Sequence, residues 1–303
     1  MKIVVSGSTG LIGSALTKAL LRRDHDVLPL LRRRPAPGEH AIAWDPERAT
    51  LDGTGLEGAD VVIHLAGENV FGRWSPAKKQ RIYDSRVKGT RLLCDALAGL
   101  RRPPPTLLAA SAIGYYGDRG DEPVIEESAP GEDFLAHVAR DWEAATAAAT
   151  RAGIRVVNMR NGVVLTTAGG ALARMLPAFR LGLGGPVGSG NQYLSWIALD
   201  DMISAILHLL SKPDLVGPVN MTAPAPVTNR EFSRTLGKVL GRPAVVTVPA
   251  LALRMAFGAE GAAMLQSGQR VLPARLLASG FSFSSQDVEH ALRFLLAPSE
   301  RAR

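Results

Sequence analysis

The sequence predicts an α/β fold with a doubly wound parallel sheet and a smaller, mainly helical C-terminal region. Short apolar runs alternate with helix-length segments along the first half of the chain, and near-continuous apolar runs are typical of parallel strands covered on both faces. The alternation of strand and helix favours right-handed crossovers between these strands. The chain has 303 residues, of which 46% are hydrophobic and 21% charged, which is enough apolar material for a large core.

The first half of the chain supplies the elements of this sheet. Strands are predicted from five apolar runs: residues 2–6, 26–31, 60–66, 106–111 and 154–160. Helices are predicted from three segments between them: residues 11–23, 76–98 and 133–152. The last helix is rich in alanine and is expected to end at Gly153, because glycine is a common C-cap residue.

The stretch SGSTGLIG (6–13) is a candidate phosphate-binding turn. Its glycines follow a predicted strand and open a predicted helix, the context that a dinucleotide-binding motif requires. Gly7 permits the tight turn, Gly10 lets the backbone approach a pyrophosphate, and Gly13 lets the helix pack closely on the sheet. The N–H groups at the helix N-terminus then hold the anion. We therefore predict a Rossmann-like domain whose cofactor contacts include Gly7, Ser8, Thr9, Gly10, Leu11, Ile12 and Gly13.

The residues after the second strand favour NADP(H) over NAD. An acidic residue there would accept hydrogen bonds from the ribose hydroxyls of NAD, but the chain has Arg32, Arg33 and Arg34. A guanidinium group binds a 2′-phosphate through charge-assisted, bidentate hydrogen bonds. Arg32 is the best candidate because it is nearest the strand, whereas solvated loop charge explains Arg33 and Arg34 equally well. Asp45 either meets the adenine edge or forms an ordinary turn.

The pattern changes after about residue 165. A glycine-rich segment, residues 182–192, has no regular periodicity. Later elements are expected at about 199–211 (helix), 218–221 (strand) and 228–240 (helix). We predict an NADP(H)-binding Rossmann domain over 1–165, whose sheet can receive segments from about 199–221. Residues 166–303 form a substrate-side region that acts as a lid and includes a small C-terminal domain at about 243–297.

Longer motifs resemble the extended short-chain dehydrogenase/reductase superfamily. They are SGSTGLIG (6–13), VVIHLAG (61–67), VKGTRLLCDAL (87–97), SAIGYYG (111–117) and GSGNQYLSWIALDDM (188–202). Three further stretches resemble its atypical, epimerase-like branch, the NAD-dependent epimerase/dehydratase family with a small C-terminal domain: FLAHVARDWE (134–143), MLPAFRLGLGGPVGSGNQYLSWI (175–197) and GQRVLPARLLASGF (268–281). The resemblance implies that the glycine turn and Arg32 bind NADP(H). It also implies nicotinamide-side contacts at Leu65, Ala66, Gly67 and Ser111.

The superfamily's proton-transfer pair, Tyr-x-x-x-Lys, is missing from this chain. In that pair the lysine and the cationic nicotinamide lower the tyrosine pKa until the tyrosine acts as general acid or base. The four tyrosines here are followed, four positions later, by Val87, Arg119, Gly120 and Ile197. Counted back from Glu143, the positions of the family pair carry Leu135 and Ala139.

A second departure concerns the substrate. Extended enzymes that act on nucleotide sugars often hold the pyrophosphate with an arginine at a position that carries Leu194 here. This counts against a nucleotide-sugar substrate, unless Arg160 or Arg180 compensates.

Three hydroxyl groups remain candidates for catalysis. Ser111 ends a strand at the carboxyl edge of the sheet, where ligands bind in such folds, and Tyr115 and Tyr116 follow in a glycine-flanked loop. Loop packing explains the two tyrosines equally well. His137 and Glu143 lie on the helix that normally supplies the pair, but at i and i+6 they lie well apart around it.

Two functional hypotheses follow. In the first, the protein is an NADP(H)-dependent oxidoreductase or epimerase-like enzyme that acts on an unknown small molecule through Ser111, Tyr115 or Tyr116. In the second, it is a non-catalytic NADP(H)-dependent sensor or binding protein, in which the cofactor orders residues 182–192 and the lid.

Composition argues against other classes. The net charge is +7, but the basic residues are dispersed, so we expect no nucleic-acid partner. There is neither a signal-peptide pattern nor an apolar run of the ~18–20 residues that a membrane span needs, so we expect no membrane association and a cytoplasmic location. The six histidines are dispersed, so we expect no metal site. Cys94 is expected to be buried, and a homodimer is the default assembly.

Overall fold

The structure is a computed structural model, and it describes residues 1–297. Its strands are β1 (Lys2–Ser6), β2 (Asp26–Leu31), β3 (Ile42–Asp45), β4 (Thr50–Leu51), β5 (Val61–His64), β6 (Thr106–Ala112), β7 (Pro123–Val124), β8 (Arg155–Asn161), β9 (Val163–Leu165), β10 (Tyr193–Leu194), β11 (Trp196–Ala198), β12 (Gly217–Met221), β13 (Val227–Thr228) and β14 (Arg270–Val271). Its helices are α1 (Leu11–Leu21), α2 (Pro76–Ala98), α3 (Phe134–Ala144), α4 (Ala147–Arg151), α5 (Gly170–Arg180), α6 (Leu199–Ser211), α7 (Asn229–Leu240), α8 (Ala250–Gln266), α9 (Ala274–Ala278) and α10 (Val288–Leu296). These elements confirm the predicted α/β class.

The central sheet has eight strands in the order β12-β8-β6-β5-β1-β2-β3-β4. Its strands pair in parallel, except for the antiparallel pair β3–β4 at one edge. From β1 the chain runs outward through β2 to β4, and then returns to the other side of β1 at β5. This reversal opens a crevice at the carboxyl ends of β1, β2 and β5, where ligands bind in doubly wound folds.

The two faces of the sheet carry separate cores, because successive strand residues point to opposite faces. Ile3 and Val5 of β1 share a cluster with α1 and α6, through residues such as Leu16 and Ile206. Val4 belongs to the opposite cluster, with α2 and α4. A third cluster joins α5, α7 and α10. The helices therefore cover both faces, as the continuous apolar strands predict.

The alanine-rich helix predicted over 133–152 is broken into α3 and α4. The hydroxyl of Thr146 donates to the carbonyl oxygen of Glu143 at 2.7 Å, and the backbone N–H of Thr146 donates to the same oxygen. A threonine side chain that bonds to the preceding turn competes with the regular helical ladder. The predicted single helix is therefore corrected to two.

The region after residue 165 adds a strand to the central sheet. β12 pairs with β8 at the edge of the central sheet, and α6 covers one face beside α1. Within the glycine-rich segment 182–192, Val187 forms a parallel bridge to Val248. α8 is kinked at Gly258, whose φ is +77°.

Several general properties follow from the described residues. Among residues 1–297, no helix is both long enough and apolar enough to cross a membrane. The same part of the chain brings together no group of three or more His, Cys, Asp or Glu side chains that could hold a metal ion. Cys94 is buried in α2, and burial raises the pKa of its thiol to about 12, so the thiolate is scarce at neutral pH.

A buried chain of hydrogen bonds links the ends of β1 and β5 to α2 and α3. Ser6 Oγ lies 2.6 Å from His64 Nδ1, and His64 Nε2 lies 3.0 Å from Thr90 Oγ1. Trp142 Nε1 donates to the same threonine oxygen at 2.8 Å. Ser6, His64 and Thr90 are fully buried. These hydrogen bonds therefore fix the ends of β1 and β5 beside the crevice.

We predict that His64 makes stability depend on pH. Burial lowers its pKa from 6.5 to about 4, so the folded protein holds it neutral while the unfolded chain takes up a proton below pH 6.5. The free energy of unfolding should therefore fall as pH drops from 6.5 to 4, by up to about 3 kcal/mol. Urea unfolding across this range should show a shallower slope for His64→Gln than for wild type. The control is His137→Gln at an exposed histidine. Identical slopes in wild type and His64→Gln would contradict the prediction.

Candidate functional site

The turn between β1 and α1 excludes side chains at two of its glycines. Gly7 has φ +68°, and a Cβ on it would lie 2.8 Å from the carbonyl carbon of Leu65. A Cβ on Gly13 would lie 2.1 Å from the carbonyl oxygen of Gly7. Only glycine allows α1 and the loop after β5 to approach the turn this closely.

The N-terminus of α1 is free to bind an anion. Gly10 is its N-cap residue. No side chain among residues 1–297 caps the helix, and its first turn holds no acidic residue. Gly10 is exposed, and a Cβ on it would meet only the carbonyl oxygen of Gly7, at 3.2 Å. The first backbone N–H groups of a helix have no partner within the helix, and they attract negative charge. The predicted turn residues 7–13 therefore form a cradle that fits a pyrophosphate.

The predicted contacts Leu65, Ala66 and Gly67 lie beside this cradle. The backbone N–H groups of Leu65 and Ala66 donate to Ser6 Oγ at 3.1 and 3.3 Å. Arg86 of α2 supports the loop from the other side, because its Nη1 donates to the carbonyl oxygen of Glu68 at 3.0 Å. Sequence reasoning missed Arg86, because its position within α2 gives no sign of the loop that it meets.

Arg32 and Arg33, which follow β2, have different environments. Arg33 forms a bidentate pair with Glu39, at 2.6 and 2.7 Å. Arg32 is exposed, and its side chain makes no hydrogen bond or ion pair to any residue that the structure describes. Its charge contributes to lowering the pKa of Glu68, although the main cause is the hydrogen bond from Lys78 to Glu68. Arg32 is therefore available to an external anion, whereas Arg33 is already paired.

Two of the three predicted catalytic residues belong to a buried polar network. Ser111 donates to Glu143 Oε1 at 2.6 Å. Arg160 donates to both oxygens of the Glu143 carboxylate, at 2.8 and 2.9 Å. Arg160 Nη1 also donates to the Tyr116 hydroxyl at 2.9 Å, and that hydroxyl donates to Asn220 Oδ1 at 2.7 Å. Sequence reasoning missed this network, since it joins residues far apart in the chain.

The network gives Ser111 and Tyr116 a structural role. Ser111 is 2% exposed and Tyr116 is fully buried, and burial raises the pKa of Tyr116 to about 12. Both hydroxyls already donate to partners in the interior. The geometry therefore counts against the expectation that either one transfers a proton to a ligand in the crevice.

Tyr115 differs from its neighbour. Its ring packs against the guanidinium group of Arg160, 3.5 Å from the ring centroid. The residue is partly exposed, and within residues 1–297 its hydroxyl makes no hydrogen bond and is not among the buried unpaired polar atoms. Of the three candidates, Tyr115 is the one whose hydroxyl remains open.

Arg160 is held in the interior by its carboxylate partner. The residue is 3% exposed. Burial alone would lower its pKa, but the hydrogen bonds and the charge of Glu143 outweigh burial and raise it. Arg160 is thus committed to the protein interior and is not placed to bind a substrate phosphate. Arg180 lies exposed in the last turn of α5.

The structure also shows what surrounds positions 135 and 139, His137 and Asp45. Ala139 is buried, and Leu135 packs beside Gly114, so the two positions at which the sequence analysis expects the proton-transfer pair carry only apolar side chains. His137 is exposed and lies 3.0 Å from Arg140 Nη2. Asp45 accepts hydrogen bonds from two backbone N–H groups that follow it, so it forms a turn.

The C-terminal region contacts the N-terminal domain near this crevice. Phe71, in the segment after β5, packs edge-on against Phe257 of α8, with ring centroids 5.2 Å apart. The guanidinium group of Arg174, from α5, lies 4.1 Å from the centroid of the Phe71 ring. A cavity of about 730 Å³ lies close by, where Trp74 and the first turns of α2 and α3 meet α8. Residues from three parts of the chain therefore meet at Phe71.

Comparison with known proteins identifies the family. A sequence profile of the NAD dependent epimerase/dehydratase family matches residues 3–221. The chain belongs to this family. A second profile, for a domain of unknown function (DUF1731), matches residues 248–295. The two matches confirm the resemblance inferred from the sequence motifs, including a small C-terminal domain.

Relatives of this epimerase-family chain align along almost its whole length. An epimerase family protein of Mycobacterium bovis is 45% identical over 293 residues, which cover 96% of each chain. The human epimerase family protein SDR39U1 is 38% identical over 301 residues, 98% of this chain and 100% of the human one. The crystal structure of human SDR39U1 (isoform 2) with NADPH superposes with a TM-score of 0.89 at 36% identity, covering 97% of this chain and 99% of the human chain. These relatives confirm the Rossmann-type fold and the atypical extended branch.

Proposed function

We propose that this protein is an NADP(H)-binding oxidoreductase or epimerase-like enzyme that acts on a small molecule. The observation that carries the proposal is the β1–α1 turn, where close glycine packing leaves an uncapped helix N-terminus open at the switch point of the sheet. Such an N-terminus binds the pyrophosphate of a dinucleotide. The two halves of the cofactor then lie on either side of β1.

Arg32 supports the choice of NADP(H). It follows β2, on the adenosine side of the switch point, and its side chain is free of ion pairs within the described chain. A 2′-phosphate would give this guanidinium group a dianionic partner, which the ribose of NAD lacks. The presence of NADPH in the crystal structure of human SDR39U1 is consistent with this assignment.

When bound, the nicotinamide supplies the capacity to accept or donate a hydride. The chain's own contribution on that side begins with Leu65, Ala66 and Gly67, which follow β5, and continues after β6 with Tyr115. The open hydroxyl of Tyr115 is the candidate proton donor, and the stacked guanidinium group of Arg160 fixes its ring. Ser111 and Tyr116 act indirectly, because they help to hold the network around Arg160.

A second function, a non-catalytic NADP(H)-dependent sensor, is favoured by the apolar residues at positions 135 and 139. In this alternative the cofactor orders the glycine-rich segment 182–192 and the lid for a partner. The segment already bridges to the C-terminal region, since Gln192 Nε2 donates to the carbonyl oxygen of Leu265 at 3.2 Å. The homodimer, the cytoplasmic location and the absence of a nucleic-acid partner stay predictions.

We predict that Arg32→Ala weakens NADPH binding selectively. Loss of a charge-assisted hydrogen bond should raise the Kd for NADPH by about 10–100-fold and leave the Kd for NADH nearly unchanged. Isothermal titration calorimetry with both cofactors measures the difference. Arg22→Ala, at the opposite end of α1, removes another exposed arginine and should bind NADPH like wild type. Equal affinity of the wild-type protein for NADPH and NADH would refute the cofactor assignment.

We predict that Tyr115→Phe strongly slows turnover without affecting cofactor binding. A panel of carbonyl compounds is screened for NADPH oxidation, and on any active compound the variant should be slower by about 100-fold or more, the usual contribution of a general acid. Tyr83→Phe is the control, because the Tyr83 hydroxyl is bonded to Asp141 between α2 and α3. If NADPH binds but no compound oxidises it, the sensor function replaces the enzyme. Full activity in Tyr115→Phe would exclude Tyr115 as the proton donor.

A further inference from the structure

A concave cavity lined by three arginines lies outside the cofactor region. It has a volume of about 390 Å³, and its lining includes Arg230 and Arg234 of α7 and Arg242 just beyond that helix. Pro186, from the glycine-rich segment, and Val245 also line the cavity. Neither the glycine turn nor Arg32 lines this cavity, so it is a separate feature of the molecule.

The positive charge of this cavity is not paired with any carboxylate of residues 1–297. Within residues 1–297, none of the three guanidinium groups pairs with a carboxylate, and Arg230 donates only to the carbonyl oxygen of Ser189. The neighbouring acid, Glu231, is held in a capping box, where its carboxylate accepts from the N–H and hydroxyl of Thr228 at 2.8 and 2.9 Å. Three like charges around one concavity repel each other, and a bound anion would relieve that repulsion.

The walls of the cavity are fixed by backbone hydrogen bonds. The N–H of Val248 donates to the carbonyl oxygen of Pro186 at 2.9 Å, and the N–H of Gly188 donates to the carbonyl oxygen of Val248 at 3.0 Å. Asn229, the first residue of α7, accepts from the N–H of Val187 at 2.7 Å through its side-chain oxygen. These bonds hold the segment against both α7 and the chain that leads into α8. The backbone that forms the cavity is therefore already ordered before a ligand binds, which lowers the entropic cost of binding.

We propose that this cavity binds the phosphate or pyrophosphate group of a small molecule, with Arg234 and Arg242 as its principal ligands. The planar guanidinium fork matches phosphate oxygens and forms bidentate, charge-assisted hydrogen bonds. The side chain of Val245 is 79% exposed, and with Pro186 it offers apolar surface to the organic part of the ligand. The concavity is open to solvent and of a size that suits a small molecule, whereas single-stranded nucleic acid is usually bound along an extended basic groove with stacking aromatic side chains.

The test uses inorganic pyrophosphate as the probe and the full-length protein without cofactor. Isothermal titration calorimetry at 0.15 M salt should show saturable binding, with a Kd about 10-fold higher in Arg234→Gln or Arg242→Gln and about 100-fold higher in the double variant. Arg151→Gln, which alters an exposed arginine on α4, is the matched control and should bind like wild type. Arg230 is left intact because it supports the carbonyl of Ser189. Circular dichroism and Tm check that each variant folds.

The glycine turn is a second place where pyrophosphate can bind, so the experiment is repeated in Gly10→Ala. Binding that persists in Gly10→Ala and disappears in the arginine double variant supports the proposal, whatever the outcome for NADPH. Binding lost in Gly10→Ala but retained in the double variant assigns the signal to the turn and overturns the proposal. Equal losses in Arg151→Gln and the cavity variants would indicate non-specific charge, and also overturn it. Binding of a short RNA that depends on Arg234 and Arg242, with no binding of pyrophosphate, would overturn the proposal as well.

Discussion

The close packing of the β1–α1 turn is the constraint on which the rest of the candidate site depends. The carbonyl oxygen of Gly7 occupies the space that a side chain on Gly13 would need, and the loop after β5 lies against Gly7 itself. Because neither position accepts a Cβ, α1 begins directly over the carboxyl end of β1 with its N-terminus at the switch point. Arg32 follows β2, on one side of this switch point. Tyr115 follows β6, on the other side. The roles proposed for Arg32 and Tyr115 therefore depend on a cofactor whose pyrophosphate binds at this N-terminus.

Most of the polar side chains on the proposed nicotinamide side are bonded to one another inside the protein. Glu143 and Arg160 form a buried ion pair, and breaking such a pair by removing one partner leaves an unpaired charge in the interior. The hydroxyls of Ser111 and Tyr116 complete the hydrogen bonding of this pair. The enzyme hypothesis therefore depends on the open hydroxyl of Tyr115, while the sensor hypothesis needs no proton donor at all. The chain keeps the fold of its family, and positions 135 and 139, where the proton-transfer pair is expected, carry leucine and alanine.

The sequence predicts those features whose signals are local. The helix predicted over 76–98 matches α2 because Ser75 caps its N-terminus, Pro76 occupies the first turn and Gly99 follows its end. The break between α3 and α4 was not predicted, because it depends on one hydroxyl within an alanine-rich run that otherwise favours helix. Arg32 and Arg33 are adjacent and chemically identical, so only the folded loop shows that Glu39 pairs with the second.

The role of Tyr116 could not be read from the sequence for a different reason. Its hydroxyl partner Asn220 is 104 residues away in the chain and reaches it only because β12 returns to the sheet beside β8. The contacts of Ser111 with Glu143 depend in the same way on how α3 packs against β6. Motif reasoning placed these side chains at the correct edge of the sheet, but whether a hydroxyl faces the crevice or the interior is decided by tertiary packing.

The most direct test of the central claim is NADPH binding to Gly10→Ala. A Cβ at this position is tolerated by the backbone, since its φ of −74° suits any residue. Its nearest neighbour, the carbonyl oxygen of Gly7 at 3.2 Å, is a tight contact that a shift of a few tenths of an ångström relieves. The added methyl group would instead occupy the place of the pyrophosphate. We expect the Tm to fall by no more than a few degrees, with NADPH binding weakened by at least about 100-fold, close to the loss of two charge-assisted hydrogen bonds. Wild-type affinity for NADPH in a correctly folded Gly10→Ala protein would contradict the account.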